Sequence, residues 1–222
     1  MSPSPSLGSV KHGDIAGVIV AGGRSSRMNP GSGAGYVPKA LRLLAGKPLI
    51  DHVIKRVSPQ VTLLLINTND APELYRHYGL SIVTDTRPGY PGPLAGLASA
   101  LATLDQLGFE GRALFICPCD GPFVPEDLVA RLDAALTAAD ADCACIRVRD
   151  ELQPTFSLWH RRAQPCITAT LDQGLGGFKD VFGQLQVAVL DWPEVKDDPF
   201  FNINTPRDLA RAEQRLSAEA MP

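Results

Sequence analysis

Short apolar runs alternate with segments in helical phase along the first two thirds of the chain. Each run is short enough for a strand and is followed by a glycine turn or a polar segment, whereas the longer intervening segments repeat their apolar positions every three or four residues. The runs that predict strands cover residues 15–20, 61–66, 80–83, 113–117 and 143–148. Such alternation predicts a Rossmann-like α/β fold, in which a mainly parallel sheet is flanked by helices on both faces.

The segments between these runs predict helices, and the last third of the chain adds a less regular set of elements. Pro48 suits a first helical position, and Thr205 suits the N-cap of the final helix. The predicted helices cover residues 48–57, 72–78, 93–107, a segment that opens at Pro125, 163–171 and 206–215. Two further strands are predicted at residues 155–159 and 186–190.

Length and composition indicate one ordinary globular domain. The chain has 222 residues, 45% apolar and 20% charged, with a formal charge of −3. This nearly neutral balance argues against a nucleic-acid partner, and no apolar run approaches the roughly 18 residues that a membrane helix needs. Residues 1–13 are rich in Ser and Pro and lack the apolar core of a signal peptide. We therefore expect a disordered tail at 1–13, a single domain at 14–217 and a cytoplasmic location.

The five cysteines do not form a disulfide framework. Their number is odd, and four of them stand in two C-x-C pairs, whereas zinc sites usually use C-x2-C spacing. The cysteines are Cys117, Cys119, Cys143, Cys145 and Cys166. We expect reduced, mostly buried thiols that pack as small apolar side chains.

A glycine-rich turn, AGGRSSRM at residues 21–28, follows the first predicted strand. Glycines let the backbone approach a ligand closely and direct N–H groups at phosphate oxygens. Arg27 and Lys39 can add positive charge to such a site. The spacing matches neither G-x-G-x-x-G nor a P-loop. A plain strand-to-helix turn would explain the glycines alone, but with two cations nearby phosphate binding is the better interpretation.

Polar side chains follow the second, third and fourth predicted strands, at Asn67, Asp85 and Asp120. In an open α/β sheet, ligands bind beyond the carboxyl ends of the strands. Asp120 can hold Mg²⁺, which prefers one or two carboxylates together with phosphates and water. Asn67 and Asp85 offer acceptors for donors such as the N–H groups of guanine. Each of the three could instead close its strand through a turn or a helix cap.

Asn202 and Asn204 lie in the segment FNINTP before the final predicted helix. Alternation along an extended segment places both side chains on the same side. They form a candidate pair facing a ligand, although they could also be ordinary loop residues.

Taken together, these segments resemble the molybdenum cofactor guanylyltransferase family. The glycine signature is shared with many sugar and terpenoid nucleotidyltransferases, whereas YPGPLAG, CPCD and NINTP in combination are more specific. The matching segments span about residues 14–214 in the family's order: VIVAGGRSSRM (18–28), Lys39 with the following LRLLAGKPLIDHV, LLLINTN (63–69), YPGPLAGL (90–97), FICPCDGPFVPEDL (115–128) and FNINTP (201–206). The link at 29–38 is longer than is usual in the family, and Pro38 stands where an Asp is common.

The resemblance implies a nucleotide-diphospho-sugar transferase-like fold and a Mg²⁺-dependent transfer of GMP from GTP to the phosphate of molybdopterin, with release of pyrophosphate. It implies a nucleotide half at about 14–140 and an acceptor-side half at about 141–217. Transient contact with cofactor-insertion proteins or molybdoenzymes would follow transfer.

Site residues can also be carried over from the resemblance. Lys39, Arg27 and Asp120 are implied to be catalytic, with Asp120 also the metal ligand. Asn202 and Asn204 match positions on the pterin side. The implied nucleotide contacts are Val20, Ala21, Gly22, Gly23, Lys39, Asn67, Asp85 and Asp120.

Other functions remain open on the sequence alone. Molybdopterin cytidylyltransferases usually carry AAG where this chain has AGG, which favours guanine. A sugar-1-phosphate nucleotidyltransferase would use the same reaction type. A protein of another class would keep the fold and bind a nucleotide without catalysis, and a dinucleotide-dependent oxidoreductase would need a glycine fingerprint that this chain lacks.

Overall fold

Strands and helices follow one another largely in the predicted alternation. The computed structural model describes residues 14–22, 36–86 and 92–219, so the predicted tail at 1–13 lies outside the described residues. The strands are β1 (Ile15–Val20), β2 (Leu43–Leu44), β3 (Lys47–Pro48), β4 (Leu63–Asn67), β5 (Ser81–Val83), β6 (Ala113–Pro118), β7 (Cys143–Val148), β8 (Glu151–His160) and β9 (Val187–Asp191). The α-helices are α1 (Leu49–Val57), α2 (Pro93–Gln106), α3 (Leu128–Ala138), α4 (Gln164–Asp172), α5 (Phe178–Phe182) and α6 (Pro206–Glu219).

Seven strands form one sheet in the order β5-β4-β1-β6-β8-β7-β9. Strands β5, β4, β1 and β6 are mutually parallel, and β9 runs parallel to β7. Only β8 among these seven is antiparallel to its neighbours. The prediction of a mainly parallel sheet is therefore confirmed. Because β5, β4, β1 and β6 are adjacent and parallel, their carboxyl ends meet at one edge of the sheet.

Helices cover both faces of the sheet, as predicted, because side chains alternate between the faces along each strand. On one face, Ile19 and Phe115 pack with Ile50 of α1 and Leu132 of α3. On the other face, Val18 packs in a cluster supplied by α2, α4 and α5. Each fully buried side chain of this size contributes about 1.5–3 kcal/mol. No helix in the described ranges is long and apolar enough to cross a membrane.

Strand β8 corrects the prediction for the last third of the chain. A strand was expected at 155–159, but β8 is twice that length and lies between β6 and β7, which are not neighbours. Arg149 and Asp150 have φ angles of 46° and 64°, as in the two-residue turns that join antiparallel strands. Neither residue is the glycine or asparagine that usually predicts such a hairpin, so this turn could not be recognised from the sequence pattern.

Smaller differences arise where proline was taken as the start of a regular helix. The helix predicted at 72–78 is instead two single 3-10 turns, Pro72–Leu74 and Arg76–Tyr78. The helix predicted to open at Pro125 begins at Leu128. Helix α5 and the β2–β3 hairpin were not predicted, because each is too short to show a periodic pattern.

The β2–β3 hairpin brings two distant segments together. Ala45 and Gly46 form its turn, with φ angles of 50° and 79°. A small cluster under α6 contains residues from both segments: Leu44, Leu49, Phe123, Ile203 and Ala212. The chain just before β2 is therefore held beside the chain just before α6, at the carboxyl edge of the sheet.

Candidate active site

Four strand ends are level at the carboxyl edge of the sheet. Val20 of β1 pairs with Asn67 of β4 on one side and with Pro118 of β6 on the other, and Asn67 pairs with Val83 of β5. The residues that follow each strand therefore begin at the same height. This register places Ala21 and Gly22 at the start of the glycine turn, together with Asp85 and Asp120, along one edge.

Lys39 and Asp120 form an ion pair in this edge. The Lys39 ammonium group donates to Asp120 Oδ2 and also to Asn204 Oδ1, at 2.7 Å. Asp120 is only 8% exposed, so water screens the pair weakly. Lys39 lies on a 3-10 turn, Lys39–Leu41, that precedes the β2–β3 hairpin. The structure thus brings together a lysine and a carboxylate that the sequence separates by 81 positions.

The segment before α6 lies against the loop after β6. The Ile203 N–H donates to the Asp120 carbonyl oxygen at 2.9 Å. Asn202 Oδ1 is buried and has no hydrogen-bond partner among the described residues. A Cβ on Gly121 would lie 3.3 Å from this oxygen, so the absence of a side chain at Gly121 leaves room for Asn202. Asn202 and Asn204, which were predicted on the pterin side, therefore both lie beside the Asp120 loop, the segment of Asp120 and Gly121 that follows β6.

Asp208 fixes the backbone of this segment, a role that the sequence analysis missed. Its Oδ2 accepts from the Asn204 N–H at 3.0 Å and from the Thr205 N–H at 2.8 Å, while Thr205 Oγ1 accepts from the Asp208 N–H at 3.2 Å. Although burial acts in the opposite direction, the hydrogen bonds that this carboxylate accepts from the Thr205 hydroxyl and from the N–H groups of Asn204 and Thr205 hold the pKa of Asp208 below its ordinary value. The predicted N-cap at Thr205 is confirmed, and the pattern T-x-x-D was the available signal for Asp208.

A second polar group lies at the ends of β4 and β5. Asn67 Nδ2 donates to Asp85 Oδ1 at 2.8 Å and to the Val83 carbonyl at 3.3 Å. Asn69, which was not predicted as a site residue, donates through Nδ2 to Asp85 Oδ2 at 2.8 Å and accepts from the Asp85 N–H at 3.0 Å. Asn67 is 1% exposed, so its amide is fixed by packing as well.

The start of the glycine turn lies between the two groups. The Ala21 N–H donates to the Asn67 carbonyl at 2.7 Å, and the Cys119 N–H donates to the Val20 carbonyl at 3.0 Å. A Cβ on Gly22 would lie 3.3 Å from Asn69 Nδ2. The other two predicted residues of this region, Gly23 and Arg27, lie outside the described residues.

The thiols and histidines near the site do not supply a nucleophile. Burial raises the pKa of Cys119, and the adjacent Asp120 raises it further, so the thiolate is disfavoured. A ring nitrogen of His52 hydrogen-bonds the Leu44 carbonyl at 3.0 Å, as expected of a core histidine. Within the described ranges, no three His, Cys, Asp or Glu side chains group as a metal site. The arrangement is suited to binding phosphate and a cation rather than to covalent catalysis.

Comparison with known proteins identifies the family. A family model described as "MobA-like NTP transferase domain" matches residues 17–189. The chain belongs to the MobA-like NTP transferase family. Within this family, it is 36% identical over 206 residues to a molybdenum cofactor guanylyltransferase of Bradyrhizobium sp. (strain ORS 278). The aligned residues cover 92% of this chain and 94% of that protein. A molybdenum cofactor guanylyltransferase of Vibrio cholerae is 34% identical over 95% of this chain and 97% of that protein.

A solved structure supports the same assignment. Molybdopterin-guanine dinucleotide biosynthesis protein A from Archaeoglobus fulgidus superposes with a TM-score of 0.73 at 26% identity, over 92% of this chain and 99% of that one. The expected nucleotide-diphospho-sugar transferase-like fold is thereby confirmed. Nucleotidyltransferases of the MobA-like family generally use a divalent metal ion.

Proposed function

We propose that this chain is a molybdenum cofactor guanylyltransferase, which transfers GMP from GTP to the phosphate of molybdopterin and releases pyrophosphate. The observation that carries the proposal is the Lys39–Asp120 ion pair at the carboxyl edge of the sheet, in a chain that matches curated guanylyltransferases over nearly its whole length. The enzyme is a nucleotidyltransferase, and GTP and molybdopterin are its substrates.

The metal ion of the reaction is Mg²⁺, with Asp120 as its protein carboxylate. A single carboxylate fits this ion, because Mg²⁺ in nucleotide sites takes most of its other ligands from phosphates and water. The neighbouring amide oxygens of Asn202 and Asn204 are of the same hard oxygen type. When bound, the ion supplies charge neutralisation at the phosphoryl oxygens.

The protein residues position and neutralise the reacting groups. An oxygen of the pterin phosphate attacks the α-phosphorus of GTP, the bond from this phosphorus to the bridging oxygen breaks, and pyrophosphate leaves with that oxygen. Lys39 and Arg27 stabilise the negative charge that develops on the transferred and departing groups. Since Lys39 pairs with Asp120 in the free protein, it must share or release this carboxylate when a metal nucleotide binds.

The nucleotide and the acceptor are bound by different parts of the chain. Residues 14–140 supply the nucleotide contacts Val20, Ala21, Gly22, Gly23, Asn67 and Asp85. Residues 141–217 supply Asn202 and Asn204 for the pterin. This division is supported by the two polar groups on either side of β1. After transfer, the product passes to cofactor-insertion proteins or molybdoenzymes through transient contact.

Pyrophosphate release with purified chain, Mg²⁺, molybdopterin and each nucleoside triphosphate in turn tests the proposal. We expect pyrophosphate to be released with GTP, and only when molybdopterin is present. Activity with CTP alone would make the chain a cytidylyltransferase, and activity with a sugar phosphate in place of molybdopterin would make it a sugar nucleotidyltransferase. Binding of GTP without turnover would indicate a non-catalytic nucleotide-binding protein.

A matched pair of lysine variants separates site effects from general charge effects. Lys39→Ala removes the ammonium group at the site, and Lys55→Ala removes an exposed one from α1. We expect pyrophosphate release to fall by about 100-fold or more in the first variant and to stay unchanged in the second. Equal rates in both variants would refute the role of Lys39.

A further inference from the structure

Asn69 makes a reciprocal pair of hydrogen bonds with Asp85. Its amide nitrogen donates to Asp85 Oδ2 at 2.8 Å, and its amide oxygen accepts from the Asp85 N–H at 3.0 Å. The two contacts close a ring between the ends of β4 and β5. A side-chain amide held at both of its polar atoms has a fixed orientation, so Asn69 in turn fixes the rotamer of the Asp85 carboxylate.

Asn67 holds the other oxygen of the same carboxylate. Its Nδ2 donates to Asp85 Oδ1 at 2.8 Å, and it also donates to the Val83 carbonyl at 3.3 Å. Asp85 therefore receives one amide N–H on each oxygen. An ionised carboxylate offers about four acceptor positions, so each oxygen keeps capacity for one further donor.

We propose that Asn69 is a positioning residue that presents the Asp85 carboxylate as a two-point acceptor for a pair of donors on the nucleoside. The inference rests on the proposed function, because it takes a guanine nucleotide as the ligand. GTP carries two such pairs: N1–H and N2–H on the base, and the 2′ and 3′ hydroxyls on the ribose. Both are adjacent donors that match the two oxygens of one carboxylate.

Asn69 also lies against Gly22, so a change at Asn69 should affect the nucleotide through the backbone at this glycine as well. A Cβ on Gly22 would lie 3.3 Å from Asn69 Nδ2 and 3.4 Å from the Asn69 backbone nitrogen. Gly22, at the start of the turn, therefore lies directly beside the Asn69 amide. Asn69 thus links the position of Gly22 to the orientation of the Asp85 carboxylate.

The test measures dissociation constants of the full chain for Mg²⁺ complexes of GTP, ITP, 2′-deoxy-GTP and 3′-deoxy-GTP. ITP lacks the N2 amino donor, and each deoxy analogue lacks one ribose hydroxyl. Asn69→Ala is expected to weaken GTP binding about 10-fold, which corresponds to 1.4 kcal/mol. One of the analogues lacks the donor that binds Asp85. For this analogue the same variant should weaken binding by less than about threefold, because the contact that Asn69 supports is already missing.

Two further variants separate positioning from packing. Asn69→Asp keeps the shape of the side chain but places a second carboxylate against Asp85, so we expect a loss at least as large as that in Asn69→Ala. It also carries the test if Asn69→Ala does not fold. Gln164→Ala is the matched control, because Gln164 Nε2 donates to the Asp105 carboxylate at 2.9 Å and lies near the amino end of β6, away from the carboxyl edge of the sheet. Its affinities should equal those of the wild type.

The outcomes distinguish this inference from the proposed function. Equal weakening of all four nucleotides, or unchanged GTP affinity in either Asn69 variant, overturns the positioning role. If the Asn69 variants weaken the binding of all four nucleotides equally while the wild type transfers GMP to molybdopterin, the inference alone fails. If the wild type transfers no GMP but the affinities follow the expected pattern, the proposed function fails and the positioning role of Asn69 stands.

Discussion

The ammonium group of Lys39 donates to the Asp120 carboxylate and to the Asn204 amide oxygen, and so joins three distant parts of the chain. Lys39 precedes the β2–β3 hairpin, Asp120 follows β6 and Asn204 precedes α6. In the absence of a nucleotide, the lysine supplies the positive charge that the buried carboxylate requires. If Asp120 holds the metal ion as proposed, a cation bound with GTP would share this carboxylate with Lys39 or displace Lys39 from it, so binding of the metal nucleotide and movement of Lys39 would be linked.

Asp120→Asn tests this link. The amide keeps the shape of the side chain but loses the charge that attracts a metal ion. We expect the rate of GMP transfer to fall by about 100-fold or more, with a loss of about 1–2 kcal/mol in the free energy of unfolding because the Lys39 charge loses its partner. Pyrophosphate release and urea denaturation measure the two effects.

A double variant provides the control for that prediction. Lys39→Met combined with Asp120→Asn leaves no uncompensated charge, so its loss of stability should be smaller than the sum of the two single losses. Additive losses would show that the two side chains do not interact in solution. Wild-type activity in Asp120→Asn would remove the metal role assigned to this residue.

Gly96→Ala should displace Asn67 from the position in which we propose that it contacts the nucleotide. A Cβ on Gly96 would overlap Asn67 Oδ1 and lie 3.0 Å from Asn67 Cγ, and the helical backbone of α2 cannot yield. We expect the KM for GTP to rise about 10-fold and stability to fall by about 1–3 kcal/mol, although alanine favours a helix by about 1 kcal/mol over glycine. Steady-state kinetics and thermal denaturation test this.

Gly183→Ala is the matched glycine control. Gly183 has a φ of −66°, and a Cβ there would meet no atom within 4 Å. Its substitution should leave both KM and stability nearly unchanged. A Gly96→Ala variant with the same KM as Gly183→Ala would show that Asn67 does not contact GTP.

The fold was predictable wherever local patterns and tertiary structure agreed. The first strand was predicted at the residues where it occurs, and α2 differs by a single residue, because a buried strand and an amphipathic helix each have a clear period. Strand β8 was only half predicted, and its place between β6 and β7 was not foreseen at all. Its position depends on a hairpin turn without glycine and on pairing with β6 residues that are at least 41 positions away in the sequence, which no local pattern encodes.

The site was predictable where a polar residue directly follows a strand. Asp85 and Asp120 were predicted in this way, and the parallel register explains why the structure places both at one edge. Asn69 and Asp208 were missed, since they act through hydrogen bonds to other site residues. Their partners are known only once the fold brings them together. The pattern T-x-x-D would have singled out Asp208 as a helix cap, but not as a support for Asn204.

Asp208→Ala should loosen the segment that carries Asn204. The change removes the acceptor for the N–H groups of Asn204 and Thr205, so we expect a loss of about 1 kcal/mol in the free energy of unfolding. The KM for molybdopterin should rise more than the KM for GTP. Glu213→Ala, at an exposed position on the same helix, should change neither value.

The contribution of Asp208 to stability should depend on pH. Its pKa is lower in the folded protein than its ordinary value of 3.8, so the folded state holds the ionised form more strongly than the unfolded state does. The stabilisation is therefore fully present above that ordinary value and is lost as the pH falls through the folded-state pKa. The stability difference between wild type and Asp208→Ala should shrink on acidification from pH 7 to pH 3. A difference that grows towards pH 3 would contradict this assignment.

Cys166 should be the thiol that reacts first in the folded protein. It is partly exposed on α4, whereas the other four cysteines are buried. Burial raises the pKa of the Cys145 thiol to about 12 and also raises that of Cys117, so neither forms a reactive thiolate at neutral pH.

Titration with a coloured disulfide reagent should give one rapid equivalent in the native state and five after denaturation. Cys166→Ser should abolish the rapid equivalent without changing GTP affinity. Rapid modification of Cys119 together with loss of GTP binding would instead show that the Asp120 loop opens readily in solution.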